Sequence, residues 1–599
     1  MGTYIGIDLG TSNCAAALAT GDAPPEILPI TQVASVNGIA EKNLLPSVVY
    51  LPSAAEFPGG VPALPWQKEP RQWLCGLHAR ERGALQPDRL IVSAKSWLCH
   101  PQVDRRAAIL PWQSETVSEK WSPLAVSEKL LAHLLANLPA AESIQPVITV
   151  PASFDEAARG LTLEAARLAG LAEATLLEEP QAAFYAWLGN HGSDWRQQVA
   201  AGDIILVCDI GGGTADFSLI AVSGREGNLA LERVAVGEHL LLGGDNMDLA
   251  LAHHTAAQLE TAGTALDDWQ FLALVQSVRS AKEALLSDSS LAEATLAIPS
   301  RSSRLIASTI SAKLTRADLE STVLDGFFPI TAPDEMPQVR RAGGLRESGL
   351  PYAPDAAISK HLARFLTRAR ENIASSPALL AAAGGLEKTG ASPLIVPDAV
   401  LFNGGVFNAA PLRRRVLELL SKWSGRPVRE LQGARPDHAV AIGAAIYSRL
   451  RATGKGLRIK SGTARSYYIG MESSAMAVPG RRPAVKALCV APQGMEEGTS
   501  HEIADREFLL YTGETSEFRF FQSEIRAGDQ PGEILPDAST LEESAKLQVE
   551  IPPPAGHQPG EEVPVRLRAH VTELGNLELH FIHTATSESW KLEFNVRLQ

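Results

Sequence analysis

Two hydrophobic rhythms divide this chain. Up to about residue 450, continuous apolar runs alternate with Ala- and Leu-rich stretches of helical period. "ILVCDI" (205–210) and "DAVLFNGG" (398–405) read as buried strands. "DEAARGLTLEAARLAGL" (155–171) and "PLRRRVLELLSKW" (411–423) read as helices. That alternation predicts an α/β domain. Beyond residue 466 the period drops to two. "VPVRLRAHV" (563–571) is apolar at odd positions, as is "LELHF" (577–581) after a Gly-Asn turn, while "WKLEFNVRL" (590–598) alternates at even positions. These read as half-buried antiparallel strands. Between the two textures, "TGKGLRIKSGTARS" (453–466) has the Gly, Lys and Ser content of a linker. The expected organisation is an α/β domain over 1–452, a linker over 453–466 and a β domain over 467–599. The stretch 329–357 is irregular and rich in Pro, Gly and Arg, and 329–398 is read as an insertion.

One pattern occurs twice. "YIGIDLGTSNCAAALA" (4–19) and "LVCDIGGGTADFSLIAV" (206–222) both run strand, Asp, any residue, Gly, a small hydroxyl-bearing turn, strand. Two copies predict two similar lobes facing a cleft. A plain hairpin needs a glycine or two at positive φ, but no Asp closing its first strand and no Thr beyond. Glycines let backbone N–H groups approach an anion closely. Thr11, Ser12 and Thr214 add hydroxyl donors. Asp8 and Asp209 would repel phosphate unless a cation lies between, and Mg²⁺, which keeps several waters, suits that place. There is no GxxxxGK[ST] loop, and the residues after "GGGT" continue as a strand where a dinucleotide fingerprint would open a helix.

Composition narrows the classes. At 599 residues the chain exceeds one core, and 45% hydrophobic with 20% charged residues is ordinary for a globular protein. A net charge of −14 argues against broad nucleic-acid binding. The five cysteines form no CxxC pair, so neither a zinc site nor a disulfide framework is expected, and a reducing cytoplasm fits. His253 and His254 are adjacent and would diverge on a helix, against a shared metal. The start lacks a signal-peptide pattern, and no apolar run is long enough to span a membrane.

With these residues in view, the chain resembles the actin-like ATPase superfamily and, within it, the seventy-kilodalton heat-shock chaperone family. "GIDLGTSN" (6–13) and "DIGGGTAD" (209–216) are similar to that family's two phosphate loops. "VPASFDEAARGLTLEAARLAGL" (150–171), "LLEEPQAAFYAW" (176–187), "LLGGDNMD" (241–248), "LTRADLE" (314–320) and "ARPDHAVAIGAA" (434–445) follow in the family's order. The resemblance implies a two-lobed α/β fold of duplicated ribonuclease-H-like lobes, followed by a smaller β-sandwich. It implies a slow ATPase using ATP/ADP, Mg²⁺ and K⁺. Asp8 and Asp209 resemble the residues holding Mg²⁺ through water, and Asp216 a carboxylate near a monovalent-ion site. Gly10, Thr11, Ser12, Asn13, Gly211, Gly212, Gly213 and Thr214 resemble the phosphate cradle. Lys95 in "IVSAKSWL" matches the lysine that positions the attacking water and Glu179 the glutamate coupled to the metal shell, and with Asp209 and Thr214 these are the implied catalytic residues. Gly243, Gly244, Lys282, Gly404, Gly405 and Asp437 lie where the adenosine is held. Pro151 and Arg159 match an interdomain switch. The implied partners are unfolded polypeptide or a dedicated protein, with co-chaperones.

The chain also departs from the family. Val406 stands where a serine is usual and Arg279 where a glutamate is, which predicts weaker nucleotide binding, a lost buried hydrogen bond costing about 1–3 kcal/mol. The basic "GKGLRIKSG" (454–462) replaces an acidic, leucine-rich linker. The β region resembles the peptide-binding domain only through "FLLYTGETSEFRF" (508–520) and "TELGNLELHF" (572–581), and no helical lid is expected. The other class to weigh is an actin-like nucleotide-dependent scaffold; a sugar or acid kinase fits the motif order less well.

Overall fold

The two Asp-Gly hairpins seed two sheets of identical strand order. The computed structural model describes residues 2–592 except 37, 101–102, 140–145, 226–227, 300–308, 340–348, 351, 376, 387–391, 434, 455–462, 464, 473–484, 494, 496–498, 524–525, 527, 555, 572–576 and 587. In the first lobe, Thr3–Leu9 pairs antiparallel with Asn13–Thr20 and parallel with Val147–Val150, beyond which lies Thr175–Glu178; Glu26–Ile27 extends the other side. In the second, Ile204–Ile210 pairs antiparallel with Ala215–Arg225 and parallel with Ala399–Asn403; Asn228–Val236 and Arg429–Glu430 lie outside them. Asp8 and Asp209 each hold the penultimate position of the central strand, opposite Thr149 and Asn403 on the parallel neighbours. The repeat read from the sequence is therefore a repeat of topology and register.

All seven residues of Ile204–Ile210 are buried, which is why that run shows no alternation. The helices Glu179–His191 and Ala439–Thr453 pack between the sheets. One apolar cluster joins Val147 and Leu177 of the first lobe to Ile205 and Val207 of the second through Phe184, Trp187, Ala444 and Tyr447. Where these helices meet, a side chain at Gly443 would overlap the carbonyl of Ala182.

The region read as an insertion is only partly irregular. Ile358–Ser375 is an amphipathic helix burying Ile358, Leu362, Leu366, Ala369 and Ile373 in the second-lobe core. Its three- and four-residue spacing is the signal that the surrounding Pro and Gly obscured.

The C-terminal region is antiparallel β. One sheet runs Ile534–Leu535, Lys486–Ala491, Ser466–Met471, Thr515–Ser523, Glu542–Glu550; the other runs Ser500–Tyr511, Glu562–Val571, Leu577–His583, Ser589–Leu592. Their inward residues share one core, and Val563, Val565, Leu567, Ala569 and Val571 are buried as the alternation requires. Residues 593–598 of the last expected strand, the Gly-Asn turn and residues 455–462 of the expected linker lie outside the described residues.

Gly443→Val is expected to destabilise the chain by about 1–3 kcal/mol or more, because the rigid helix backbone at Ala182 cannot yield. Denaturant unfolding checks this; an unchanged midpoint would mean that the two helices separate at little cost.

Candidate functional site

The site forms where the two hairpin turns meet. In the second turn, the Gly211 amide donates to Thr214 O at 2.9 Å. The helix Gly244–Thr261 starts directly against that turn: the Gly244 amide donates to Gly211 O at 3.0 Å and the Asp245 amide to Gly212 O at 2.7 Å. In the first turn, Ser47 Oγ donates to Gly10 O at 2.7 Å and the Ser47 amide to Ser12 O at 2.9 Å. A Cβ on Gly212 would overlap Ser12 Oγ, and one on Gly213 would lie 2.7 Å from the Thr11 methyl. Only glycine lets the two turns approach this closely. Asn13 opens the return strand of the first hairpin, and Thr214 is buried at the same place in the second. Ser12 Oγ is itself buried with no hydrogen-bond partner among the described residues.

Behind the turns lies a cluster of charge. Lys95, on the short helix Ala94–Leu98, is buried against the carboxylate of Glu179, the first residue of Glu179–His191. Asp8 accepts from Thr149 Oγ1 at 3.3 Å, Asp209 from Asn403 Nδ2 at 2.6 Å, and Asp216 from Ser153 Oγ at 2.8 Å, with His239 Nδ1 3.4 Å from the same oxygen. Burial, then repulsion from Glu179, pushes the Asp8 carboxyl up to about 7, against the pull of Lys95. Burial and Glu179 also hold Asp209 well above the usual carboxylate range. Burial alone would lower Lys95, but Glu179 and Asp8 outweigh it and raise the ammonium above its ordinary value. Burial likewise opposes charge on His239, yet Cys99 and Asp216 raise it well above the usual imidazole range.

This donor set fits Mg²⁺ held through water. Among the described residues no group of three or more His, Cys, Asp or Glu side chains could hold a metal directly, so a protein cage is not built here. The cluster nevertheless carries carboxylates in excess of cations, and the unpartnered Ser12 hydroxyl beside closely packed glycines offers a donor to an anion.

The adenosine-side residues come together in part. Lys282 Nζ donates to Gly244 O at 3.1 Å and pairs with Asp248 at 2.7 Å. Gly404, at φ 83°, packs over Ile210 and Asp209, and its amide donates to Pro436 O at 3.3 Å. Nothing lies within 4 Å of where a Gly405 Cβ would be. The methyl of Val406 lies 3.5 Å from where a Gly244 Cβ would be, and Gly243 packs on Gly211 and Gly212. Asp437 pairs with Arg435 at 2.9 Å. Arg279, read as a reversed charge, is held by Asp248 at 2.7 Å and Asp245 at 2.5 Å. Pro151, just past Val147–Val150, accepts from the Phe154 amide. Arg159 is buried and pairs with Glu178 at 2.8 Å; Glu178 also pairs with Arg233 of the second lobe.

Sequence reasoning missed Asn403 as a partner of Asp209, the Ser153–His239 contact with Asp216, and the triad of Arg159, Glu178 and Arg233. Asn403 stood in the quoted strand "DAVLFNGG", and the fold sets it in parallel register with Asp209. Nothing local marked His239 or Arg233.

Asp8→Asn is expected to stabilise the metal-free chain at pH 8. The folded carboxyl is raised to about 7 from 3.8, so the folded state binds the extra proton between those values, and stability falls as pH rises through them. The advantage of asparagine should shrink as pH drops from about 7 to about 4. Thermal unfolding in chelator across that range checks it, and an advantage independent of pH would contradict it.

The model of the Hsp70 protein family matches residues 4–335. A chaperone protein HscA homolog of Burkholderia cenocepacia is 36% identical over 322 residues, covering 51% of this chain and 45% of the relative. Homologs of the same name from Burkholderia mallei and Burkholderia pseudomallei are 35% identical over 297 residues, covering 47% of this chain and 41% of theirs. The chain thus spans just under half the length of the curated relatives it matches. With both phosphate-loop-like turns inside the matched span, this chain belongs to the Hsp70 protein family.

Proposed function

We propose that this chain is a chaperone-type ATPase that hydrolyses Mg-ATP and couples nucleotide state to binding of unfolded polypeptide or a dedicated protein partner in the cytoplasm. The observation that carries the reading is the buried Lys95–Glu179 pair set behind two facing glycine turns, each closed by an aspartate. Family membership supports it, and the relatives are chaperones by name. The proposed architecture is an actin-like ATPase domain of duplicated lobes over 1–452, a linker over 453–466 and a β-sandwich over 467–599.

Phosphoryl transfer to water needs positioning and charge neutralisation more than covalent chemistry. Gly10, Thr11, Ser12, Asn13, Gly211, Gly212, Gly213 and Thr214 hold the phosphates through amides and hydroxyls. Bound Mg²⁺ supplies charge neutralisation at the phosphates. Asp8 and Asp209 hold it through water, the role for which their two equivalent strand ends are suited. Lys95, fixed as an ammonium by Glu179, orients the attacking water and stabilises charge on the transferred group. Asp216, beside Ser153 and His239, is the carboxylate offered to K⁺. Gly243, Gly244, Lys282, Gly404, Gly405 and Asp437 face the adenosine. Pro151 and Arg159 form the switch, with Arg159 tied to the second lobe through Glu178 and Arg233. In the β region, Leu509 and Tyr511 are exposed on Ser500–Tyr511, an outer strand of its sheet, and offer apolar contact to a bound segment. The linker anchors Leu457 and Ile459 lie outside the described residues.

An ATPase assay with and without an unfolded polypeptide tests the reading. Stimulation by polypeptide supports a chaperone, whereas ATP-dependent sedimentation without stimulation supports the scaffold class instead. Lys95→Ala and Asp209→Asn are each expected to lower single-turnover hydrolysis about 100-fold while ATP binding stays within about tenfold of the parent. Hydrolysis at the parental rate in both would remove these side chains from the mechanism. Val406→Ser is expected to tighten ATP about two- to tenfold by restoring one hydrogen bond. Calorimetric titration reads this directly, and an unchanged affinity would mean that the valine faces no polar group of the nucleoside.

A further inference from the structure

The inserted segment that the ATPase reading leaves unused bridges the two lobes. It follows second-lobe residues, Phe328 and Thr331 beside Trp423, and it precedes the second-lobe helix Ile358–Ser375. Yet Gly349 and Leu350 contact the first lobe. The Gly349 carbonyl lies 2.9 Å from His100 Nε2. A carbonyl only accepts, so His100 carries its proton on that nitrogen and donates. Leu350 packs against the first-lobe core cluster to which Trp97 and Leu98 belong, and Trp112 Nε1 lies 3.9 Å from where a Gly349 Cβ would be. Three residues on, Ala353 is back in the second lobe: its amide donates to Leu241 O at 3.4 Å, and its side chain packs on the second-lobe core.

The first-lobe contacts converge on the helix that carries Lys95. His100 stacks on Trp97 with ring centroids 5.5 Å apart, and Trp97 packs on Trp112 at 4.6 Å. Trp97 and Leu98 belong to Ala94–Leu98, a helix of five residues that hydrogen bonds alone cannot hold. The backbone of His100 is fixed from its own lobe, where Arg105 Nε donates to His100 O at 3.0 Å and the Arg105 guanidinium pairs with Asp155 at 3.2 Å. The ring of His100 is fixed from the other lobe by Gly349.

We propose that Gly349, Leu350 and Ala353 form a strap through which the second lobe holds the Lys95-bearing helix in its working position. His100 and Leu350 are its positioning residues, and the strap ties the set of Lys95 to the separation of the lobes. Its effect on hydrolysis rests on the ATPase reading above; its hold on the helix does not.

Two readouts separate these. Hydrogen exchange of residues 94–100 in the nucleotide-free chain reads the hold, and single-turnover hydrolysis with ATP affinity reads its consequence. In Leu350→Asp and His100→Ala, exchange should quicken about tenfold or more. Hydrolysis should fall about tenfold, with affinity within about twofold, because a misplaced helix costs rate more than binding. His100→Gln, which keeps an N–H at similar reach, should recover most of both. Exchange at the parental rate in Leu350→Asp and His100→Ala overturns the strap. Faster exchange with unchanged hydrolysis overturns its positioning of Lys95. Faster exchange in a chain whose parent does not hydrolyse ATP upholds the strap and defeats the ATPase reading. Should Leu350→Asp fail to fold, the His100→Ala and His100→Gln pair decides alone.

Discussion

The structure is organised around an unbalanced set of buried charges. Asp8, Glu179, Asp209 and Asp216 interact with one another at the junction of the lobes, where Lys95 pairs with Glu179 and His239 lies against Asp216. Carboxylates withdrawn from water repel one another strongly, and a chain free to relax would separate them. Here they cannot separate, because each is fixed to a regular element that is buried for other reasons. Asp8 and Asp209 sit one residue from the end of central strands, Asp216 lies in register with Asp209, and Glu179 begins a helix clamped between the two sheets. The apolar cores bear the cost of an arrangement that is electrostatically unfavourable until a cation and an anion enter it. Buried, mutually perturbed acids of this kind cluster at functional sites.

The same constraint explains the junction beneath the site. Glu178 and Glu179 are adjacent, yet they serve different partners. Glu178 ends a strand and is enclosed by Arg159 and by Arg233 from the other lobe, whereas Glu179 begins a helix and meets Lys95. A buried carboxylate with two guanidiniums is well matched only in one geometry, so this triad resists relative displacement of the lobes. The apolar cluster shared by Glu179–His191 and Ala439–Thr453 makes the same junction from the hydrophobic side. The strap adds a further contact, with Leu350 packed on one core and Ala353 on the other. A disturbance of lobe separation therefore reaches Lys95 and Glu179 through neighbouring covalent and packed elements.

The nucleoside side illustrates how charge changes are absorbed. Arg279 reads in isolation as a positive charge set against a polar ligand. In the fold it lies between Asp245 and Asp248, and Asp248 also takes Lys282. The two carboxylates neutralise much of the charge that the sequence seemed to place there. What is left is the missing hydroxyl at Val406, whose methyl lies 3.5 Å from where a Gly244 Cβ would be.

The sequence by itself determined whatever depends on local geometry. The repeated Asp, Gly and hydroxyl pattern fixed two hairpins, because turn chemistry and strand period act over a few residues. The alternation over 563–571 fixed which side chains are buried, because a strand has a period of two. Tertiary structure decided what depends on approach between distant segments. Which of two adjacent glutamates meets Lys95, where Arg279 finds its carboxylates within the second lobe, and how Asp216 acquires Ser153 from across the lobe junction all follow from the packing of distant segments. The contact of His100 with Gly349 joins residues 249 positions apart. No window of local sequence carries that information, because a hydrogen bond across a lobe junction is set by the packing of the cores on either side and not by the residues that flank it.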